Sequence, residues 1–291
     1  MKSPATPLTA LAKLTAKRKT KEPAVAARLQ LSLPLWPDAV RGVPNAVLRG
    51  ALFSVSKTRA TAKRLTLLTA VEGIEVSFKG ERFNQIDLDL LEMLLHLARS
   101  QPLGNKVEFT SYAILKELGR GTSGRDHEDL RNGIARLAGG VIDIKWTTGS
   151  HKGQTVGGTL VSAYARDDDS GRNVVVLNEK IVKLYDAGYT YIDWEERKAL
   201  GNNSLAKWLH GFYASHAKPF PYKVDTLKSL CGSTVARLAD FKKMLRLALA
   251  HLQDAGAIES WSITDDLVHV VNIPSRTQAK HLTKQKRNSV V

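Results

Sequence analysis

One order of predicted elements occurs twice along the chain, and this repetition restricts the available folds more than any other feature. The first occurrence begins at residues 87–99, where apolar residues form one stripe of a helix that Asp87 would cap. A short strand, a short helix, a Gly-rich turn at 119–124 and a second helix at about 125–137 follow, and then strand-like runs separated by polar turns. A helix-turn-helix followed by a β-hairpin is the winged-helix arrangement.

The second occurrence lies nearer the C-terminus. An amphipathic helix at 204–215 and a short helix at 226–230 precede a turn, and residues 234–253 have the apolar spacing of one long helix. Gly256 ends this helix, and two strand-like runs flank residues 264–266 as a hairpin. The sequence therefore predicts an α+β protein made of two tandem winged-helix domains.

Charge adds basic tails to these domains. The 291 residues carry a net charge of +15, to which residues 1–28 contribute +6 and residues 275–291 contribute +5. Both segments lack the apolar content that would offset the entropy of ordering them, so we expect disordered tails around domains at 38–190 and 191–274. The positive balance favours phosphate backbones or another anionic surface as partner and disfavours acidic substrates.

Cysteine usage and hydropathy bear on the location of the protein. The single cysteine, Cys231, cannot form an intramolecular disulfide and fits a reducing compartment. No run of about 18 apolar residues is available to span a bilayer, and the N-terminus lacks an apolar signal core. We therefore expect a soluble cytoplasmic protein with no membrane partner.

The helix predicted at 234–253 is the main candidate for DNA recognition. Its apolar stripe comprises Leu238, Phe241, Leu245, Leu249 and Leu252. At 100° per residue this stripe fits within an arc of about 80°, so the other side is free to enter a major groove. The DNA-binding residues predicted here are Ser233, Thr234, Ala236, Arg237, Lys243 and Arg246. The alternative is the solvated face of an ordinary core helix.

The helix at 125–137 is the weaker candidate. It presents Arg125, Asn132 and Arg136 outward, and these side chains suit guanine and adenine contacts. Asp129 lies among them and would repel a phosphate. This first domain could therefore serve as a protein-interaction module instead.

Basic residues in two connections are predicted to hold the duplex through its phosphates. Lys57, Arg59, Lys63 and Arg64 form a run with small neighbours that we interpret as a loop. Lys152 lies in the turn at 149–154, a candidate wing tip. The other candidate wing tip, at 167–172, begins with three aspartates, for which a hairpin turn is favoured over a cation site.

Catalytic motifs are missing from the sequence. It contains no phosphate-binding G-x-x-x-x-G-K-[ST], no G-x-S-x-G, no H-E-x-x-H and no pair of histidines two residues apart. Cys231 is interpreted as a small packed side chain rather than a nucleophile. We expect no enzymatic activity, no cofactor and no metal; a nuclease would need an active site that the sequence does not offer.

Four segments resemble the TrfA family of plasmid replication initiators. They lie at 33–55 (LPLWPDAVRGVPNAVLRGALFSV), 191–200 (YIDWEERKAL), 215–233 (SHAKPFPYKVDTLKSLCGS) and 265–271 (DDLVHVV). The resemblance implies a protein that binds directly repeated iterons in double-stranded origin DNA and helps to melt the adjacent AT-rich DNA. It also implies recruitment of the host replication initiator and the replicative helicase, and an equilibrium between monomers and dimers in which the monomer binds iterons.

Two features can be carried over by residue. The resemblance places residues 231–233 before the recognition helix and Arg237 where the family also has an arginine, although Leu238, Ala239 and Asp240 are less basic than the family pattern. The segment QLSLPL is similar to the peptide by which such proteins bind the sliding clamp, and it comprises Gln30, Leu31, Ser32, Leu33, Pro34 and Leu35. Leu33 and Leu35 would enter an apolar groove. The alternative is a lead-in that packs Trp36 on the first domain.

These observations favour a non-enzymatic initiator of plasmid replication. A transcriptional repressor built from the same modules, acting on a plasmid operon, is the alternative. The two hypotheses differ in the DNA they require, since an initiator needs direct repeats and a repressor one operator.

Overall fold

The computed structural model describes residues 33–100 and 105–273. The predicted disordered tails, and Gln30, Leu31 and Ser32 of the clamp-like peptide, lie outside the described residues. No helix in these two ranges is long and apolar enough to cross a bilayer. The helices are α1 (Asn45–Leu48), α2 (Gln85–Ala98), α3 (Ser111–Glu117), α4 (Gly124–Gly139), α5 (Val182–Asp186), α6 (Trp194–Ala199), α7 (Ser204–Ala214), α8 (Val224–Leu230) and α9 (Leu238–Asp254).

The strands alternate with these helices in a mixed α/β chain. They are β1 (Val40–Pro44), β2 (Phe53–Ser54), β3 (Thr61–Leu68), β4 (Ile74–Glu81), β5 (Phe83–Asn84), β6 (Lys106–Thr110), β7 (Val141–Trp146), β8 (Thr155–Thr159), β9 (Val161–Asp167), β10 (Arg172–Leu177), β11 (Tyr189–Asp193), β12 (Tyr222–Lys223), β13 (Ile258–Thr264) and β14 (Leu267–Asn272). A 3₁₀ turn at Glu179–Ile181 precedes α5.

The predicted repetition is present in the order and pairing of these elements. The first series runs α2, β6, α3, α4, β9 and β10, and its sheet has the order β6-β10-β9. The second series runs α7, β12, α8, α9, β13 and β14, and its sheet has the order β12-β14-β13. In both sheets the strand before the short helix pairs with the last strand of the hairpin.

The hairpin of the first series is shorter than predicted. We expected three consecutive strand-like runs after Gly140 to form one hairpin region, but β7 and β8 belong to a separate sheet of order β3-β4-β7-β8. Strand β10 pairs with β6 on one side and with β9 on the other. The turn that carries Lys152 therefore lies outside the sheet of the first series, and the turn at 167–172 joins the two hairpin strands of that sheet.

Apolar packing divides between two buried clusters. The N-terminal core draws on residues from Leu33 to Trp194, and the C-terminal core draws on residues from Leu200 to Val270. The indole Nε1 of Trp208 in the second cluster donates to the carbonyl oxygen of Gly50 over 3.1 Å. The two cores are thus joined directly by a buried hydrogen bond.

The start of α2 differs from the prediction in its cap. Asn84 caps the helix by accepting from the amide of Ile86, and the Asp87 carboxylate accepts from the Asn84 amide over 3.0 Å. Asp87 is therefore the third helical residue of a capping box rather than the cap itself. Asp87 also pairs with Arg59 and Arg136, two of the predicted DNA-binding residues.

Candidate nucleic-acid interface

The long helix of the second series begins four residues later than predicted. Helix α9 starts at Leu238, and Arg237 before it is extended, with φ −88° and ψ 131°. Ser233, Thr234 and Ala236 therefore lie in the connection before the helix rather than on it. The stripe from Phe241 to Leu252 is buried as predicted, whereas Leu238 is exposed.

This connection contacts residues 54–56, at the end of β2. The Val55 amide donates to the Cys231 carbonyl oxygen over 3.0 Å, and the Ser56 and Thr234 hydroxyl oxygens lie 3.3 Å apart. Gly232 has φ +64°, and a Cβ there would lie 2.9 Å from the Cβ of Ser54. A side chain at this position would meet both a strained backbone and a clash, so the turn requires glycine.

The packing brings together two regions that are far apart in the sequence. Lys57 follows Ser56 directly and is exposed, so the structure places it beside the connection that holds Thr234. Among the predicted basic residues at 57–64, it is Lys57 that adjoins the start of α9. Lys63 and Arg64 lie on strand β3 and not in a loop; they are exposed at an edge of the four-stranded sheet.

Arg237 is exposed, and within the chain it is paired. Its guanidinium donates to both carboxylate oxygens of Asp240 over 2.7 and 2.9 Å, and this hydrogen bond holds the pKa of Asp240 below its usual value. The pair lies at solvent, where such contacts exchange readily for water or a phosphate. Lys243 and Arg246 are also exposed on α9.

Arg59 and Arg136, both predicted to contact DNA, point into the protein instead. The Arg59 Nη1 lies 2.6 Å from Asp87 Oδ2, and the Arg136 Nη2 lies 3.0 Å from Asp87 Oδ1. The Asp87 side chain is fully buried, and an ionised carboxylate in such a place is costly unless cations and donors surround it. The two arginines neutralise Asp87, so the prediction that Arg136 faces outward is wrong.

The outer face of α4 keeps the remaining predicted side chains. Arg125 and Asn132 are exposed, while Leu130, Ile134 and Leu137 are buried as expected. The exposed residues between them include Arg131, which the sequence analysis passed over. A plain count of outward basic positions on the helix would have found it.

Arg131 lines an open pocket of about 480 Å³ between α3, α4 and the β9–β10 turn. His127, Arg166, Tyr112 and Ser111 also line it. The pocket thus collects two guanidinium groups, an imidazole and several hydroxyl groups, together with the carboxylate of Asp168, which Arg166 engages. Of these groups, the guanidinium of Arg131 suits a phosphate oxygen of a nucleic acid.

The aspartates of the wing turn are engaged within the turn itself. The Ser170 hydroxyl donates to Asp167 over 2.7 Å, and Asp168 lies 2.5 Å from Arg166 Nε. The hydrogen bond from Arg166 lowers the pKa of Asp168. The turn is therefore the expected hairpin. No group of three His, Cys, Asp or Glu in the described ranges could hold a metal ion.

Lys152 stands apart from the surfaces above. It is exposed in the turn between β7 and β8, and β8 is the strand at the opposite edge of the sheet from β3. Its predicted role as a wing residue is not supported by this placement.

The clamp-like peptide is partly packed on the N-terminal core. Leu33 is only 8% exposed and Trp36 is buried, whereas Leu35 is 80% exposed. The Trp36 Nε1 donates to His96 Nδ1 over 3.1 Å, and burial lowers the pKa of His96 to about 4, so that nitrogen is available to accept. The packed lead-in, our alternative, is what the structure has at Leu33 and Trp36.

A buried ionic cluster joins α2 to the second series. Arg197 Nε lies 2.8 Å from Asp89 Oδ1 and 2.9 Å from Glu92 Oε2, and Lys207 Nζ of α7 lies 2.7 Å from Asp89 Oδ2. Burial raises the pKa of Glu92 to about 7, despite the opposing effect of Arg197. This cluster fixes the start of the second series against α2.

Cys231 is packed inside the protein. Its side chain is buried, and burial raises the pKa of the thiol to about 12. Its sulfur donates to the Lys228 carbonyl oxygen over 3.3 Å. The thiol is a packed element of the turn before α9.

Comparison of the sequence with known proteins identifies a family and a relative. The family model described as "TrfA protein" matches residues 5–272. The chain is 27% identical over 252 residues to the plasmid replication initiator protein TrfA of Escherichia coli, in a match that covers 83% of this chain and 65% of that protein. The chain thus spans just under two thirds of that relative.

Solved structures give a weaker likeness. Domains 2 and 3 of RctB align with a TM-score of 0.51 at 12% identity, covering 76% of this chain and 89% of that chain. The Pi initiator protein in complex with iteron DNA aligns with a TM-score of 0.43 at 14% identity, covering 65% of this chain and 96% of that chain. At this level of identity the RctB likeness concerns the fold alone.

Proposed function

The chain belongs to the TrfA family, and on that premise we propose that it is a plasmid replication initiator which binds iteron repeats in double-stranded origin DNA. The relative from Escherichia coli carries that name, and the match extends over most of the present chain. No enzymatic step is part of the proposal. The protein acts by binding, positioning and deforming DNA.

We infer that the two series of elements are winged-helix domains, at 38–190 and 191–274. Each has a helix, a strand, two further helices and a hairpin, with the same sheet order. In such domains the third helix enters the major groove and the hairpin contacts the adjacent backbone. Helices α4 and α9 hold that position.

The observation that carries the proposal is the gathering of donors at the start of α9. Lys57 adjoins Ser56 and Thr234, and Arg237 lies at the helix N-terminus, where backbone amides also favour an anion. Lys243 and Arg246 continue this basic surface along the helix. Their positions fit a duplex that lies along α9 with its phosphates on both sides.

The first series would hold the duplex by its backbone. Arg125 and Asn132 on α4, together with the pocket that contains Arg131 and Arg166, offer phosphate contacts without requiring a particular sequence. Arg59 and Arg136 are assigned no DNA contact, because they neutralise Asp87.

Origin opening and partner recruitment extend the proposal. Several copies bound to adjacent repeats can share the cost of bending or unwinding DNA, which is a few kcal/mol per site in typical complexes. Recruitment of the host initiator, the helicase and the sliding clamp is proposed from the family. Clamp binding through residues 30–35 would require Leu33 to leave the N-terminal core, while Leu35 is already exposed.

The proposal is tested by footprinting the protein on the origin of its own replicon at stated salt, with a single-strand-specific probe in the same reaction. We expect protection of regularly spaced direct repeats and new reactivity in AT-rich DNA beside them. Protection of a single inverted repeat at a promoter, without melting, would make the protein a repressor instead.

A pair of charge-matched variants localises the contact. Lys243→Ala with Arg246→Ala should abolish protection of the repeats. Lys180→Ala with Lys183→Ala removes the same charge from exposed positions on the 3₁₀ turn and α5 and should leave the footprint unchanged. Equal loss in both variants would show that net charge, and not α9, binds the DNA.

A further inference from the structure

Two large apolar side chains lie where the outer face of α9 should be polar. Met244 is 45% exposed and Leu247 is 71% exposed, although Phe241 and Leu245 on the same helix are fully buried. Met244 and Leu247 are three residues apart and therefore neighbours on the helix surface. They contribute little to the C-terminal core, so packing does not explain why they are apolar.

The charge around this pair identifies the surface that it fits. Lys243 and Arg246 lie directly before Met244 and Leu247 in the sequence and border the pair on one side of the helix, and both are exposed. Helix α9 has acidic residues at Asp240, which Arg237 engages, and at Asp254 in its last position. An apolar pair beside two exposed cations matches the major groove, where phosphates border the base edges.

We propose that Met244 and Leu247 contact the C5 methyl groups of thymines in the major groove, and that they thereby contribute to the choice of DNA sequence. This inference rests on the proposed function of α9. The thymine methyl is the apolar group that natural base pairs present in the major groove, and it is recognised by apolar side chains. Arginine and lysine beside it can bond guanine or phosphate but cannot recognise a methyl.

The dimensions suit one or two base pairs. From Lys243 to Leu247 the helix rises about 6 Å at 1.5 Å per residue, which is somewhat less than two base-pair steps. Side chains on a helix tilt toward its N-terminus, so Leu247 covers the surface of the preceding turn, toward Met244. The two side chains therefore form one small apolar surface.

The test removes the methyl from the DNA and the side chain from the protein. Each thymine of the protected repeat is replaced singly by deoxyuridine, which lacks only the methyl group, and affinities are measured at fixed salt for the wild-type protein and for Leu247→Ala and Met244→Ala. We expect the wild-type protein to lose about threefold to fivefold in affinity at one or two thymines. At those positions one of the variants should bind thymine and uracil equally.

Leu67→Ala is the matched control. Leu67 has a similar exposure, 66%, but lies on strand β3. This variant should retain the full preference for thymine. Thermal unfolding should be the same for Leu247→Ala, Leu67→Ala and the wild-type protein, because exposed side chains contribute little to stability.

The outcomes separate this inference from the proposed function. Wild-type protein that prefers the repeats to random duplex, but is indifferent to every uracil, would overturn the methyl contact and leave the initiator in place. Unchanged affinity and an unchanged preference for thymine in both Leu247→Ala and Met244→Ala would also overturn it. A wild-type protein with no preference for any repeat would refute the proposed function, and the methyl contact with it.

Discussion

Helices α4 and α9 hold the same place in the two series, but their outer faces differ. The face of α4 mixes Arg125 and Arg131 with Glu128 and Asp129, all exposed. The face of α9 combines basic residues with Met244 and Leu247. Arg125 and Arg131 can contact the phosphates of any duplex, although Glu128 and Asp129 oppose them, whereas an apolar surface beside basic residues depends on which bases it meets. We therefore expect α9 to determine sequence preference and α4 to add affinity.

The interiors of the two series also differ in how much charge they bury. Helix α2 of the first series buries Asp87, Asp89 and Glu92, and these carboxylates hold Arg59, Arg136 and Arg197 inside the protein. The core around α9 is apolar, with Phe241 and Leu245 at its centre. Buried charge in the first series thus removes arginines from its surface. The following predictions test this contrast, beginning with the largest effect.

Arg197→Leu should lower the free energy of unfolding by about 3–5 kcal/mol, since it leaves Asp89 and Glu92 as buried carboxylates without their shared cation. Urea unfolding measures the loss. Lys198→Leu on the same helix breaks only a surface pair with Glu195 and should cost no more than about 1 kcal/mol. Equal effects of the two substitutions would mean that the buried cluster is unimportant.

Glu92→Gln should weaken the pH dependence of stability. Burial raises the pKa of Glu92 from 4.5 to about 7, so the folded protein retains a proton that the unfolded chain releases. Glu92 therefore supports the fold below pH 4.5, and this support is lost as the pH rises through 7. Between pH 5 and pH 8 the wild-type protein should lose about 2 kcal/mol more than Glu92→Gln.

Unfolding curves at several pH values measure this difference. Glu75→Gln, which removes a carboxylate paired with Lys145 on the sheet surface, should follow the wild-type protein. Parallel curves for the wild-type protein and Glu92→Gln would contradict the raised pKa.

Arg136→Ala should lower stability and not DNA affinity, whereas Arg131→Ala should lower DNA affinity and not stability. Loss of Arg136 leaves buried Asp87 with Arg59 and should lower stability by about 1–2 kcal/mol, while the folded protein keeps its DNA affinity. Loss of exposed Arg131 should leave stability within about 0.5 kcal/mol and reduce affinity for repeats and for random duplex alike. Lower affinity of folded Arg136→Ala would reverse our assignment.

Asp240→Asn should have the smallest effect, a gain in DNA affinity of roughly threefold, because it frees Arg237 and removes a negative charge from the face. Filter binding at low salt measures the gain, and high salt should reduce it. Arg237→Ala should weaken binding to the repeats more than to random duplex. Equal loss on both would make Arg237 a phosphate contact.

Local pattern was sufficient to predict most helices. The apolar spacing in α2, α4 and α9 predicted which faces are buried, because a helix repeats every 3.6 residues and shows this in the sequence. It misplaced the start of α9, since residues 234–237 lie before the helix and nothing in the local spacing marks that boundary. Contacts of Val55 with Cys231 and of Ser56 with Thr234 accompany the extended conformation there, and they join positions about 180 residues apart.

Only those parts of the candidate interface that depend on local pattern were predicted correctly. Exposure of Lys243 and Arg246 follows from the helical pattern, whereas the burial of Arg59 and Arg136 depends on Asp87 from another segment. Lys152 was predicted at a wing tip, and its turn belongs to another sheet because strand pairing is not local. Met244 and Leu247 were not named, because only small, polar and basic residues were considered on the side of the helix opposite the predicted stripe.

By itself the sequence determined the repeated order of elements, the apolar faces of the long helices and the family, since each depends on residues close together in the chain. Tertiary structure alone decided which arginines are free to meet DNA. Arg59 and Arg136 both pair with Asp87, whose side chain is buried. The charge of this carboxylate would be costly without the two arginines, so they stay inside the protein.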